Sequence, residues 1–193
     1  GVIVRDVTAR FEASLPVQFD AQQTLVFEYR PHWWGPSLRM TALGYATVNR
    51  LTRDFTVVCL SPLGVRLLDV TRTNGQVRAN IMVGVPIDSE VLGQAIGDDI
   101  ASLYFDLVPA RDAEVMHFPD RIVFRSGVEE LEFSLSTGEL LRKTIRADGR
   151  SRTVTFADYR RQGDWLYPAQ VVLRNDLHRY QLKVLTQELQ VSI

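Results

Sequence analysis

The side chains that could perform acid–base or metal chemistry are few in this 193-residue sequence, and they are widely separated. The three histidines are His32, His117 and His178. None of them has a cysteine, histidine or carboxylate at the spacing of a zinc site. We therefore predict structural rather than catalytic roles for all three, with His178 at the surface after a turn.

Two pairs of neighbouring carboxylates, Asp98-Asp99 and Glu129-Glu130, are the other candidates. Adjacent residues point apart on a strand and do not face each other on a helix, so neither pair is predicted to share a proton. We expect both aspartates to face solvent.

The sequence has no nucleophile elbow, phosphate-binding glycine loop or dinucleotide fingerprint. These absences predict a protein that is not an enzyme and that uses no cofactor or metal. An enzyme acting on a lipid-like substrate would need a polar cluster, such as one around His117, and remains the least supported alternative.

The single cysteine, Cys59, lies within an apolar run. One cysteine cannot form an internal disulfide, and no metal-ligand spacing surrounds it. A small, buried core residue is the simplest prediction for this thiol.

Composition favours one globular unit over the whole chain, residues 1–193. Hydrophobic residues make up 46% of the chain, which is enough for a full core, and the net charge is only -1. A balanced charge predicts no strongly basic face, so nucleic acid is not an expected partner. No apolar run is long enough to span a bilayer.

The most distinctive stretch is Thr56–Val70, in which two apolar runs flank Ser61-Pro62-Leu63-Gly64. Proline suits the second position of a type I turn, serine the first and glycine the fourth. The pattern therefore predicts a hairpin with Leu63 at its tip. Either another loop covers this leucine, or it protrudes to contact a lipid or an acyl chain.

The remaining periodicity predicts a sheet with two helical segments. Residues 1–20 hold a short helix with Val4, Val7, Phe11 and Leu15 on one face, closed by Pro16. The predicted strands, joined by turn-like dipeptides, form an antiparallel up-and-down sheet. They are Thr24–Arg30, Leu38–Arg50, Phe55–Leu60, Val65–Thr71, Gln76–Val83, Glu114–Phe118, Arg121–Arg125, Glu129–Leu135, Glu139–Arg146, Arg152–Tyr159, Trp165–Arg174 and His178–Val191.

A helical insertion is predicted at residues 86–108, with Asp88 or Ser89 as its N-cap. Glycine disfavours helix interiors, so Gly93 and Gly97 either divide the insertion into two short helices or let it lie close to the sheet.

Trp33 and Trp34 lie between prolines and are predicted to pack over the end of the sheet. Gly44, in the middle of a long strand, predicts a bend or bulge.

The order of these elements resembles the LolA/LolB fold of Gram-negative bacteria, and most of all LolB-like outer-membrane lipoproteins. In that family an apolar strand enters an Asn-Pro-Leu-Gly turn whose leucine protrudes. Ser61-Pro62-Leu63-Gly64 matches this turn, with serine in place of asparagine. The match extends through the following strand, the helix near Val91–Leu107 and the segment Leu166–Leu173.

The resemblance implies a mainly β (α+β) fold: a strongly curved, incompletely closed antiparallel β-barrel whose helices cover a hydrophobic cavity. It implies a monomer on the periplasmic side of the outer membrane, held by an N-terminal lipid anchor outside this chain. The cavity would take an acyl chain of a lipoprotein or lipid. The expected ligand-binding residues are Leu63 at the tip and, in the cavity lining, Met40, Ala42, Val57, Ile81, Ile96, Ile100, Leu103 and Phe105.

The main alternative is that the same residues form an ordinary closed core. The protein would then be a structural or assembly lipoprotein with no lipid ligand.

Overall fold

The computed structural model describes residues 2–82, 84 and 88–192, and describes only the backbone of residues 2–5. Within these residues the chain forms two helices and twelve strands. The helices are α1 (Val2–Ser14) and α2 (Ser89–Tyr104). The strands are β1 (Gln18–Tyr29), β2 (Leu38–Asn49), β3 (Asp54–Leu60), β4 (Arg66–Thr73), β5 (Gln76–Ile81), β6 (Glu114–His117), β7 (Arg121–Ser126), β8 (Glu129–Ser134), β9 (Leu140–Ala147), β10 (Arg150–Gln162), β11 (Trp165–Asn175) and β12 (Tyr180–Val191).

All twelve strands belong to one antiparallel sheet in the order β5-β4-β3-β2-β1-β12-β11-β10-β9-β8-β7-β6. Two runs of sequential hairpins, β1–β5 and β6–β12, are joined where β1 pairs with β12. The predicted up-and-down arrangement is therefore confirmed, and the sheet stays open because β5 and β6 do not pair with each other.

The first strand begins earlier than predicted. β1 starts at Gln18, where Phe19 and Ala21 are buried and their neighbours are exposed. The alternation is visible in the sequence, but the polar residues Asp20, Gln22 and Gln23 obscured it. Gln23 is buried because it continues this alternation and lies on the same face as Phe19 and Ala21; the irregularity in the pairing beside it adds one residue, Gln187, to β12.

The contacts of α2 show that the sheet curls. A Cβ added to Gly97 would meet Val77 on β5, while two residues later Asp99 contacts Asn175 on β11. In a flat sheet, the six strand spacings from β5 to β11 would amount to about 29 Å. A helix is only about 10–12 Å wide, so both strands can reach it only if the sheet bends around it.

One continuous helix forms from Ser89 to Tyr104, so a division into two helices is ruled out. Asp88 caps it, and its side chain accepts hydrogen bonds from the backbone N–H groups of Glu90 and Val91. Gly93 and Gly97 serve close packing instead, because added Cβ atoms would lie 2.9 Å from Ala79 and 2.5 Å from Val77.

Helix α1 packs over a different part of the sheet. Phe11 is 3% exposed and makes edge-to-face contacts with Phe133 and Tyr159 on β8 and β10. Val7 lies on the predicted apolar face, whereas the side chain of Val4 falls outside the described residues. The helix ends at Ser14, two residues before Pro16.

Gly44 marks no break in the pairing of β2 with β1 or β3. A Cβ at this position would come within 2.9 Å of Leu25, so the glycine leaves space for that side chain on the concave face.

Candidate ligand-binding cavity

An almost entirely apolar cavity of about 110 Å³ lies between α2 and the concave face of β1–β5 and β12. It is lined by Gln23, Leu25, Phe27, Met40, Ala42, Val57, Cys59, Leu67, Leu68, Ile81, Leu92, Ile96, Asp99, Ile100, Leu103, Tyr104, Tyr180, Leu182 and Val184. A dry cavity of about 150 Å³ accepts benzene. The space seen here is therefore suited to a short apolar segment.

The structure brings seven of the predicted lining residues together around this space. They are Met40, Ala42, Val57, Ile81, Ile96, Ile100 and Leu103. Phe105 lies elsewhere: its buried ring is 6.2 Å from that of Phe55 and lies beneath the guanidinium of Arg53. The inward-pointing residues of β1, β4 and β12 were not predicted, because their place on the wall depends on the curl of the sheet.

Cys59 is both buried and part of the cavity wall. Burial raises the pKa of its thiol to about 11. The thiol is therefore protonated and weakly nucleophilic at neutral pH. As the single cysteine of the sequence, it provides a native chemical reporter inside the cavity.

The polar atoms at the cavity wall are largely satisfied by one another. Gln23 donates to the Tyr104 hydroxyl at 2.8 Å and to Thr186 Oγ1 at 3.3 Å. Burial raises the pKa of Tyr104 to about 12, so its hydroxyl stays neutral. These bonds connect α2 to β1 and β12 and leave the rest of the wall apolar.

Asp99 corrects the prediction that both aspartates face solvent. Asp98 is exposed, but Asp99 is 1% exposed and reaches the cavity wall. Asn175 donates to its two carboxylate oxygens at 3.3 and 3.4 Å, and Arg152 forms an ion pair with it. Burial raises the pKa of this carboxyl to about 7, with Arg152 opposing the shift.

Cations from the sheet side fix the C-terminal end of α2. Arg50 donates to the Tyr104 carbonyl at 3.0 Å, and Lys143 donates to the Phe105 carbonyl at 2.8 Å. Arg53 forms a two-pronged ion pair with Asp106 at 2.7 and 2.8 Å. Positive charge at a helix C-terminus is stabilising, so this end of α2 is anchored.

The N-terminal end of α2 lies toward the other end of the sheet. We call three of the loops that emerge there, residues 30–37, 61–65 and 176–179, the rim. The pairs Tyr29–Leu38 and Tyr29–Tyr180 bring the first and third loops together. Phe27, Met40 and Leu182, close to these strand ends, line the cavity.

Leu63 lies on the second rim loop and is 92% exposed, so no other loop of the described chain covers it. The turn has the predicted form. Gly64 N donates to Ser61 O at 2.8 Å, and the serine hydroxyl accepts from Val65 N at 3.1 Å. Gly64 has φ +81°, a conformation that L side chains rarely adopt.

Trp33 and Trp34 correct a second prediction. They do not pack over the sheet end, since they are 83% and 72% exposed. Trp34 stacks on His32, with ring centroids 5.2 Å apart.

No group of three or more His, Cys, Asp or Glu side chains among the described residues is placed to hold a metal ion. Neither described helix has the length and hydrophobicity of a membrane-crossing helix.

Several solved structures share this architecture. A LolA superfamily protein from Nitrosomonas europaea superposes with a TM-score of 0.65, covering 98% of this chain and 93% of that chain at 10% identity. The chain has a LolA-like fold. A domain from Vibrio parahaemolyticus described as outer membrane lipoprotein-sorting gives a TM-score of 0.51, covering 98% of this chain and 90% of its own at 11% identity. A DUF1329 family protein from Desulfovibrio piger gives 0.56, covering 97% and 91% at 10% identity.

The LolA-like fold is shared here without sequence similarity. The sequence matches no family model and no curated protein. The predicted LolA/LolB-like architecture is thus confirmed as a fold, whereas a particular closeness to LolB stays a prediction. Function has to be argued from the cavity and the rim.

Proposed function

We propose that this protein binds and transfers the acyl chain of a lipoprotein or lipid, with the chain entering the cavity from the rim. The observation that carries this proposal is the apolar cavity between α2 and the curled sheet, close to strand ends from which exposed loops emerge. One solved structure of the same fold is described as lipoprotein-sorting, which supports the same class of ligand.

The cavity volume sets a condition on the mechanism. Each buried methylene contributes about 0.8 kcal/mol to binding. A space of 110 Å³ holds only a few methylenes, so most of the binding free energy of a long chain would come from methylenes that do not fit in it. A whole chain therefore requires α2 to move away from the sheet. Because its C-terminal end is held by Arg50 and Lys143, we propose that its N-terminal half opens and acts as the cover.

The proposal extends to place and partners. We propose that the protein works as a monomer on the periplasmic side of the outer membrane, attached through an N-terminal lipid anchor outside this chain. The apolar wall of seven predicted residues would bind the chain, and Leu63 would contact the lipid during transfer.

Cys59 allows a direct test of occupancy. N-ethylmaleimide modifies an accessible thiol, and the rate can be followed by mass spectrometry of the native protein. We expect palmitate to slow the modification of Cys59, whereas acetate, which has the same carboxylate without the chain, should not. Equal rates with and without palmitate would contradict binding in this cavity.

A substitution that occupies the space gives the matched control. Ala42→Phe places a ring in the cavity, so the variant should remain folded by circular dichroism and lose the protection by palmitate. Retained protection would show that palmitate binds elsewhere.

The role of Leu63 in the transfer of an acyl ligand can be tested by substitution. Leu63→Glu should slow the transfer of a fluorescent acyl ligand to acceptor vesicles without altering thermal unfolding, since the side chain is exposed. Leu51→Glu is the control, because Leu51 is 80% exposed on the turn that precedes β3, at the opposite end of that strand. Equal transfer rates for both variants and the parent would remove Leu63 from the mechanism.

The small volume of the cavity favours one competing function, a structural or assembly protein with a filled core. Organic extraction and mass spectrometry of the purified protein distinguish the two. Recovered lipid supports a carrier; protein free of lipid that also shows no palmitate protection supports the structural role.

A further inference from the structure

The two exposed tryptophans lie on a loop that the chain holds in a defined shape. This tryptophan loop, residues 31–36, follows β1 and is bonded to the turn before β12. Arg30 N donates to Arg179 O at 3.0 Å, and Arg179 Nη1 donates to Pro31 O at 3.0 Å. The tryptophan loop therefore exposes two large aromatic side chains to solvent while hydrogen bonds hold it to the turn before β12.

Beside Trp33 lies a polar pocket of about 500 Å³ that contains three arginines, Arg30, Arg174 and Arg179. We call it the arginine pocket. Of its two carboxylates, Glu28 pairs with Arg30 at 3.3 Å, whereas Asp176 accepts a hydrogen bond from the Ser151 hydroxyl at 2.6 Å and keeps its charge, so the three arginines leave the pocket with an excess of one positive charge.

Two cations of this pocket have no acidic partner. Neither Arg174 nor Arg179 forms an ion pair with a carboxylate in the described part of the chain. Guanidinium groups bind phosphate through paired hydrogen bonds, so the pocket is chemically suited to a phosphate monoanion.

Two further apolar side chains are exposed on the same surface. Leu177, on the turn bonded to the tryptophan loop, is 50% exposed, and Leu38, at the start of β2, is 43% exposed. Tryptophan favours the headgroup level of a bilayer, where its apolar body and its N–H group are both satisfied. Cations next to such residues add attraction to anionic lipids.

We propose that the tryptophan loop and the arginine pocket form a docking surface for a phospholipid bilayer that contains anionic lipid. The tryptophans enter the interface, and Arg174 and Arg179 bind lipid phosphate. This contact does not require the cavity to hold an acyl chain, and it does not use a covalent anchor. A bilayer suits the surface better than a protein does, because the apolar groups are separate tips on two loops rather than one continuous face.

Binding to vesicles tests the proposal. The purified chain should sediment with vesicles of phosphatidylcholine and phosphatidylglycerol and bind them more weakly when phosphatidylglycerol is omitted or salt is raised. The double variant Trp33→Ser, Trp34→Ser should lose more than about tenfold in affinity. Because both side chains are exposed, its thermal unfolding should match that of the parent.

The charge contribution has a matched control. Arg174→Gln should weaken binding to the phosphatidylglycerol vesicles by about fivefold. Arg161→Gln removes the same charge at the opposite end of the sheet, where Arg161 is exposed and pairs with Leu166, and should have little effect.

Fluorescence locates the contact. In a Trp165→Phe background, the only tryptophans left are Trp33 and Trp34. Their emission should shift to the blue on vesicle binding and be quenched by brominated lipid.

Three outcomes would overturn the proposal: no sedimentation with either vesicle, unchanged affinity of the double tryptophan variant, or no quenching by brominated lipid. The first would direct attention to a protein partner for the same surface. Loss of palmitate protection at Cys59 with retained vesicle binding would affect only the proposed cavity function.

Discussion

Gly97 offers a quantitative test of how α2 is seated on the sheet. An added Cβ at this position would lie 2.5 Å from Val77 Cγ1 and 2.9 Å from Cγ2. Ordinary contacts between carbon atoms are about 3.5–4.0 Å, so helix and strand would have to separate by about 1 Å. Gly97→Ala should therefore displace α2 from β5.

The size of the effect follows from two opposing terms. Alanine favours the helix by about 1 kcal/mol, whereas overpacking a fitted contact costs about 1–3 kcal/mol. We expect a net loss of about 1 kcal/mol in the free energy of unfolding. Combining Gly97→Ala with Val77→Ala should remove the collision, so the pair should show a favourable coupling of about 1–3 kcal/mol.

Urea unfolding of the four proteins in this cycle gives the coupling. A second cycle that pairs Val77→Ala with Asp98→Ala serves as the control, since Asp98 is exposed on the outer side of the helix. Its coupling should stay within about 0.5 kcal/mol. A Gly97→Ala variant that is more stable than the parent, or an additive first cycle, would refute the close packing. The same variant should also speed the modification of Cys59, because α2 helps to enclose the thiol.

Two other substitutions test buried charges. The folded-state pKa of Asp99, about 7, lies above its ordinary 3.8, so its contribution to stability is greatest below about pH 4 and is lost as pH rises toward 7. Asp99→Asn should remove this dependence, and its stability relative to the parent, measured by urea unfolding, should rise by about 3 kcal/mol between those limits; an unchanged difference would contradict the shift. Lys143→Met removes a buried ammonium that contacts Glu129 and the Phe105 carbonyl, and should destabilise the fold by about 2–3 kcal/mol because Glu129 is only partly exposed. Wild-type stability in that variant would show that the pair contributes little.

The strands were predictable because each hairpin has a local cause. Turn dipeptides such as Asn74-Gly75 occur between short apolar runs, and a two-residue turn forces its neighbours to pair. The cap at Asp88 is likewise a local device. The place of Leu63 at the tip of a hairpin is predictable for the same reason, whereas its exposure is decided by the structure, in which no other loop of the described chain covers it.

The roles of other residues depended on distant parts of the chain. Asp99 looked like a solvent-facing residue of a helix, but it faces Asn175, which is 76 positions away in the sequence. Gly97 could be either a helix breaker or a contact residue until Val77 was seen opposite it. Phe105 continues the apolar pattern of the helix, yet it follows the last turn and packs beside Phe55.

The sequence by itself determined the antiparallel hairpins, the inward and outward faces of the strands, and the form of the turn at Ser61–Gly64, because these follow from periodicity and turn chemistry over a few residues. Only the tertiary structure decided that the sheet curls around α2, that a cavity remains there, and that Trp33 is left in solvent. Curvature accumulates from twist over twelve strands. Whether the apolar faces of the sheet and of α2 then meet or leave a cavity depends on the positions of all twelve strands together.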